Sequence, residues 1–257
     1  MLTNLCFLFF ILLTAVYGSE QPNSPNLRSR ELLSTSELTY AKEMMYLSHQ
    51  AYENSGVNNY GYTWNSLVVS GNSAAHIWTK NGDCFVAFRG SNDLVDWIDH
   101  NLGSLNPQPH DLGNGYVVEQ DFHEYYDKVK PSILAQLGSM SCSSIVATGH
   151  SLGGAAAQIM HADGGATSSV TFSQPELWHS GCDQAFRVNS QRFWLERDNG
   201  VDPVPCLPNL AHCSGTTVEL FREPWWWRGP KCWHETRSEQ DPNWCGLYPN
   251  IFAHDPY

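Results

Sequence analysis

The chain opens on an uncharged stretch, residues 1–18, in which Leu5 to Leu13 are apolar without interruption. That run is far shorter than the roughly 20 residues a membrane-spanning helix needs. Val16-Tyr17-Gly18 then sets small residues around a cleavage point, so the pattern predicts a signal peptide, although the usual early Lys or Arg is missing. A membrane anchor is the alternative, and no second apolar stretch supports it. Residues 19–36 are rich in Pro, Ser and Asn and read as a flexible leader, either a pro-segment or a loose arm. With no internal repeat and no second linker, residues 37–257 are expected to form a single domain.

Within that domain the hydrophobic period switches repeatedly. Ser34 and Glu37 form a capping-box pair ahead of Leu38, Ala41, Met44, Met45 and Ala51 at helical spacing, which predicts a helix with a methionine-rich core face. Short apolar runs at 66–70, 74–79 and 84–90, separated by Gly and Asn clusters, predict adjacent strands. Residues 117–138 carry Phe122, Tyr125, Val129, Ile133 and Leu137 at helical spacing, predicting one long helix kinked at Pro131 and stopped at Gly138. A strand at 143–149, an alanine-rich helix from Leu152 to Ala162, and strands at 169–175 and 192–197 follow. Strand and helix in alternation imply an α/β fold with a mostly parallel central sheet flanked by helices.

The most informative segment is Gly149-His150-Ser151-Leu152-Gly153-Gly154, between the predicted strand and the alanine-rich helix. Gly-x-Ser-x-Gly in a strand–turn–helix context is the nucleophile elbow of α/β-hydrolases. The glycines are needed because the backbone crowds on both sides of the serine, where a Cβ would clash. The turn lifts the Ser151 hydroxyl clear of the sheet, and the helix aims its positive end at any oxyanion formed there. The Leu152 N–H is one donor for it.

A serine is a poor nucleophile until a base takes its proton and an acid orients that base. In this fold the order along the chain is Ser, acid, His, which restricts both to residues after 151. Asp202 is favoured as the acid because it lies just past the strand at 192–197; Asp198 is its rival and suits a turn role beside Asn199-Gly200. His161, His179, His212, His234 and His254 all follow Ser151. His161 would face away from the amino end of its own helix, and His234 falls between Cys232 and Cys245. His254 comes late enough for a C-terminal loop to return over the serine, but chain position alone does not single it out.

Four blocks carry a resemblance to a known family: Phe88-Arg89-Gly90-Ser91 with Asp96-Trp97, GHSLGG at 149–154, Asp202-Pro203-Val204-Pro205 with Leu207-Pro208, and the late His254. The sequence resembles the class 3 lipases, the fungal-type triacylglycerol lipases. The resemblance implies Ser151 as nucleophile, Asp202 as acid and His254 as base. It implies Ser91 as the second oxyanion-hole donor, and it makes 92–99 a lid or its remnant with Trp97 as the lid's aromatic residue. Read from the residues themselves, Leu94, Val95, Trp97 and Ile98 set apolar side chains on a short segment beside Ser91, which suits contact with a lipid interface; packing down on the domain is the alternative. It also supports pairing Cys232 with Cys245. Two blocks depart from the family pattern. Val118-Glu119-Gln120-Asp121-Phe122 stands for Val-His-x-Gly-Phe, and Phe172-Ser173-Gln174-Pro175-Glu176 stands for Phe-Gly-x-Pro-Arg. Both bear on substrate preference rather than on the triad.

Composition narrows the partners. A net charge of −12 disfavours nucleic acid and anionic membranes, while leaving neutral lipid surfaces open to transient apolar contact. Of the eight cysteines, seven remain once Cys6 leaves with the signal peptide, so at least one thiol is unpaired in an oxidising compartment. The spacings Cys206–Cys213 and Cys232–Cys245 both suit disulfides, though order alone does not fix connectivity. The absence of Cys-x-x-Cys argues against zinc, and acyl transfer by a triad needs no metal or cofactor. The expectation is a secreted, monomeric ester hydrolase acting on long-chain glycerides. A feruloyl or other carbohydrate-linked esterase is the runner-up, and a non-catalytic lipid- or protein-binding relative is the third reading.

Overall fold

The computed structural model describes residues 34–91, 107–181, 183–197, 200–201, 204–206, 210, 216–222 and 233–236. Helix α1 (Thr35–Gln50) starts at Ser34 with the anticipated capping box: the Ser34 hydroxyl accepts from the Glu37 N–H, and the Glu37 carboxylate accepts from the Ser34 N–H at 2.7 Å. Three strands follow, β1 (Thr63–Ser70), β2 (Ser73–Lys80) and β3 (Asp83–Phe88), paired as an antiparallel meander. From β3 onward the sheet becomes parallel, through β6 (Ile145–His150), β7 (Ser168–Phe172), β9 (Ser190–Arg197) and β11 (Thr216–Arg222). A last strand, β12 (Trp233–Thr236), closes the order antiparallel to β11, and β10 (Gly200–Val201) folds back on β9. A small second sheet joins β4 (Pro109–Asp111), β5 (Val117–Glu119) and β8 (Trp178–Ser180). This is the α/β-hydrolase architecture, and every described residue lies in one unit, residues 31–257.

Alternation along the central strands sends side chains to two cores. Phe85, Ala87, Val146, Val170 and Phe172 meet Ala41, Met44 and Leu47 of α1 on one face. Cys84, Val86, Phe88 and Ala147 meet helices on the other. Both faces being covered is why these strands read as nearly continuous apolar runs.

The single helix expected over 117–138 is three elements. Residues 117–119 are strand β5. Helix α2 (Gln120–Asp127) begins where the Glu119 carboxylate accepts from the N–H groups of Asp121 (2.8 Å) and Phe122 (3.2 Å). Helix α3 (Lys130–Gly138) starts afresh with Pro131 in its first turn. A continuous helix would need an N–H at 131 and would drive the proline ring into the carbonyl four residues back, so the chain breaks rather than kinks. The inward stripe still holds, since Phe122, Tyr125, Val129, Ile133 and Leu137 are all buried.

A disulfide joins Cys84, at the start of β3, to Cys142, just before β6. Neither proposed spacing anticipated it; the two cysteines are 58 residues apart in sequence but enter neighbouring parallel strands. Cys206–Cys213 and Cys232–Cys245 fall wholly or partly outside the described residues. Closing a loop of that length constrains the unfolded chain by about 4 kcal/mol on the chain-entropy account. Replacing Cys84 and Cys142 together by Ala should therefore lower the urea-unfolding free energy by about 3–5 kcal/mol; a loss below about 1 kcal/mol would show that the bridge adds little.

Candidate active site

The site is built where β6 turns into helix α4 (Leu152–Ala162). Ser151 sits at the junction with φ 57° and ψ −129°, a left-handed conformation that costs a non-glycine residue about 1–3 kcal/mol. Hydrogen bonds fix it on both sides. Its N–H donates to the Phe172 carbonyl of β7 at 3.0 Å, and its carbonyl accepts from Gly154 at 2.9 Å. A Cβ at Gly149 would overlap the Gly153 carbonyl, and one at Gly153 would overlap the Phe88 carbonyl of β3. Gly154 lies against the Gln174 side chain, where a Cβ would stand 3.0 Å from Gln174 Cβ. The motif's glycines are thus demanded by backbone contact between the elbow, α4 and the neighbouring strand.

Ser151 is 2% exposed, and its Oγ has no hydrogen-bond partner among the described residues. Leu152 is the first residue of α4, so its N–H has no intrahelical acceptor and is available to an anion. Ser91 follows Gly90 at the end of the chain segment from β3. That strand runs beside β6, with Phe88 opposite Gly149, so Ser91 emerges at the same sheet edge as the elbow. The Arg89 backbone is held at both its groups: the Tyr125 hydroxyl donates to its carbonyl at 2.5 Å, and its N–H donates to the Ala74 carbonyl at 2.9 Å.

Asp202 and His254 lie outside the described residues, as do Asp198, His212, Leu94, Val95, Trp97, Ile98, Cys232 and Cys245. The strand that precedes Asp202 is described. Strand β9 is parallel to β7, so its carboxyl end shares the edge that bears Ser151. Beyond it, Val204 is fully buried in the core, and the Arg192 guanidinium donates to the Pro205 carbonyl at 3.2 Å and the Gln174 carbonyl at 3.4 Å. Arg192, itself 2% exposed, thereby ties the loop after β9 to the loop after β7. Sequence patterning passed over this residue, which opens the predicted strand 192–197 and whose partners lie in two remote loops.

The two departures from the family pattern have structural roles. Glu119 caps α2, and burial holds its carboxyl above the usual carboxylate range. Gln174 donates to the Gln158 Oε1 at 2.8 Å within a buried polar cluster. Trp178 Nε1 donates to that same oxygen at 2.9 Å, and Gln158 Nε2 donates to Ser190 at 2.9 Å. His161 completes the cluster, with Nδ1 3.2 Å from Ser169 Oγ and its ring stacked on Phe186 at 4.3 Å. That placement confirms the reading that His161 points away from the elbow. His179 is on β8 in the small sheet, and His234 is on β12, where its backbone pairs with Leu220 of β11.

The model of the class 3 lipases, described as Lipase (class 3), matches residues 85–212, which contain the β3 end, the elbow and the Asp202 block. The chain belongs to the class 3 lipase family. As such it is a lipase-type serine ester hydrolase. Solved structures share its fold at low identity. The Rhizomucor miehei lipase in complex with its propeptide is 17% identical with a TM-score of 0.63, covering 92% of this chain and 88% of that one. The lipase of Rhizopus microsporus var. chinensis is 17% identical with a TM-score of 0.65 over 91% and 92%. The Yarrowia lipolytica Lip2 lipase is 16% identical with a TM-score of 0.65 over 88% and 92%. No match was found among curated proteins.

Burial lowers the His161 pKa to about 4. The unfolded chain therefore takes up a proton below about pH 6.5 that the folded one refuses, so this contribution is whole above pH 6.5 and gone by about pH 4. Its size is about 3 kcal/mol at most. Unfolding free energy measured from pH 7 to 4 should fall less steeply in His161→Gln than in the parent protein; identical slopes would remove His161 from the acid sensitivity.

Proposed function

We propose that this hydrolase is a secreted triacylglycerol lipase that works through Ser151, His254 and Asp202. The observation that carries the reading is Ser151 itself: a left-handed serine, locked between glycines, at the amino end of α4. A similar solved structure, 15% identical with a TM-score of 0.63, is of a triacylglycerol lipase in which a serine protease triad forms the catalytic centre. The domain reading belongs to the same proposal, with a signal peptide at 1–18 and a leader from 19 onward; since Ser34 caps α1 and the helix starts at Thr35, the hydrolase domain takes in Ser34–Ser36 as well as the 37–257 expected from sequence. The Cys84–Cys142 disulfide fits an oxidising compartment.

In the proposed cycle His254 takes the Ser151 proton as the hydroxyl attacks the ester carbonyl. Asp202 fixes the imidazole tautomer and stabilises the imidazolium. The N–H groups of Ser91 and Leu152 receive the oxyanion, with the α4 amino end adding a favourable field. The alcohol leaves with the proton from His254; water, activated by the same imidazole, then attacks the acyl-enzyme and frees the acid and Ser151. Leu94, Val95, Trp97 and Ile98, on a short segment next to Ser91 in sequence, are proposed to meet the lipid surface as a lid, with the protein acting as a monomer.

Ser151→Ala should abolish turnover of every ester and labelling by a fluorophosphonate; retained turnover would overturn the nucleophile. Assays on emulsified triolein and on a soluble feruloyl ester should favour triolein. Preference for the feruloyl ester would replace the lipase reading by the carbohydrate-esterase one, and absence of labelling in the parent would favour a binding protein.

A further inference from the structure

The β3–β6 ladder ends at the pair Phe88 and Gly149, just short of the two segments that carry the proposed oxyanion donors. Ser91 arrives from β3 and Leu152 from the elbow, and no strand register holds them beyond that pair. A donor must lie about 2.7–3.1 Å from the forming oxyanion to be effective; the packing of Gly153 on Phe88 and the hydrogen bonds of Arg89 hold the approach, and the step from Gly90 to His150 remains to be fixed.

One hydroxyl lies across the gap. Tyr52 follows α1 and is anchored there by its N–H, which donates to the His49 carbonyl at 3.1 Å. Its phenolic oxygen is 2.9 Å from His150 Nδ1, with the two ring centroids 6.0 Å apart. The same oxygen rests on Gly90: a Cβ built there would overlap the Tyr52 hydroxyl and stand 2.7 Å from the His150 carbonyl. Gly90 immediately precedes Ser91, and His150 immediately precedes Ser151. His150 is 2% exposed, so its imidazole exchanges little hydrogen bonding with water.

We propose that Tyr52 is a positioning residue that clamps Gly90 to His150 and so sets the separation of the Ser91 and Leu152 N–H groups. The inference rests on the proposed function in taking those two groups as the donors. The hydroxyl and Nδ1 share one proton, in either direction, and the contact with Gly90 requires the absence of a side chain at that position. Because an oxyanion exists only after attack, a slack clamp weakens binding of the tetrahedral species more than binding of the ester.

The test is Tyr52→Phe in the full-length protein, which removes one oxygen and keeps the ring. On a soluble p-nitrophenyl butyrate substrate, kcat should fall about tenfold or more while KM stays within about twofold. Affinity for a boronic acid that forms a tetrahedral adduct should fall by the same factor as kcat/KM, with the melting temperature shifted by no more than about 2 °C. An unchanged kcat overturns the proposal. So does a fall in kcat with boronic-acid affinity retained, or a loss of activity that tracks a lowered melting temperature. Turnover that survives Ser151→Ala in the parent would instead sink the triad reading, so the two failures are told apart.

Discussion

Everything at the elbow depends on how closely backbones approach there. The first turn of α4 lies directly on the carbonyls of β6 and β3, with no space for a Cβ at Gly149 or Gly153. That contact brings the start of α4 over the ends of two parallel strands, and it leaves Ser151 as the one residue that bends the chain from strand to helix. The bend stores about 1–3 kcal/mol at a φ of 57°, and such strain persists only where neighbours over-determine it. Here the Phe172 carbonyl holds the Ser151 N–H, and the Gly154 N–H holds its carbonyl. The side chain is the one part left uncommitted, which is the condition a nucleophile needs.

The sheet carries this arrangement differently on its two faces. On the α1 side, the Ser48 hydroxyl donates to the Met44 carbonyl and meets Thr148 Oγ1 at 2.9 Å, while Thr148 donates to the Val170 carbonyl at 2.7 Å. On the α4 side, the Gln158 amide joins Gln174, Trp178 and Ser190 in one buried cluster. Buried polar groups cost stability unless paired, so each cluster favours a single register between helix and sheet. Apolar packing alone tolerates sliding. These hydrogen bonds penalise it, and the elbow inherits the precision.

Much of this was legible in the sequence. The helix at α1 announced itself by its capping box, α4 by its alanines after Gly-x-Ser-x-Gly, and the core strands by short apolar runs. All of these are local signals, in which side chains a few residues apart decide the conformation. The failures lie where the deciding partner was remote or was a cap. Residues 117–119 had helical periodicity but became strand because they pair with β4 and β8, and Glu119 then started the helix three residues late. Cys84 and Cys142 were unreadable as a pair because cysteine spacing was weighed along the chain, whereas their nearness comes from strand adjacency. Of the proposed site, Ser151 and Leu152 were read from motif geometry, and Ser91 came through resemblance. Tyr52 gave no local signal, since its partners Gly90 and His150 belong to other elements.

The disulfide and the Tyr52 contact act at opposite ends of the same strand pair. Cys84 and Cys142 join β3 and β6 where both strands begin, and Tyr52 meets Gly90 and His150 where both finish. A covalent bridge suits the amino end, because nothing there needs to adjust during a reaction. At the carboxyl end a hydrogen bond is the better tie. On the proposal above, it fixes the spacing of two backbone segments yet leaves them free to adjust as a planar ester becomes a tetrahedral adduct. On the proposed mechanism, a disulfide at that edge would hold the ground-state spacing too firmly, and no tie would leave the proposed donors to wander. On that mechanism the tie is covalent at the end away from the reaction and polar at the end that meets changing charge.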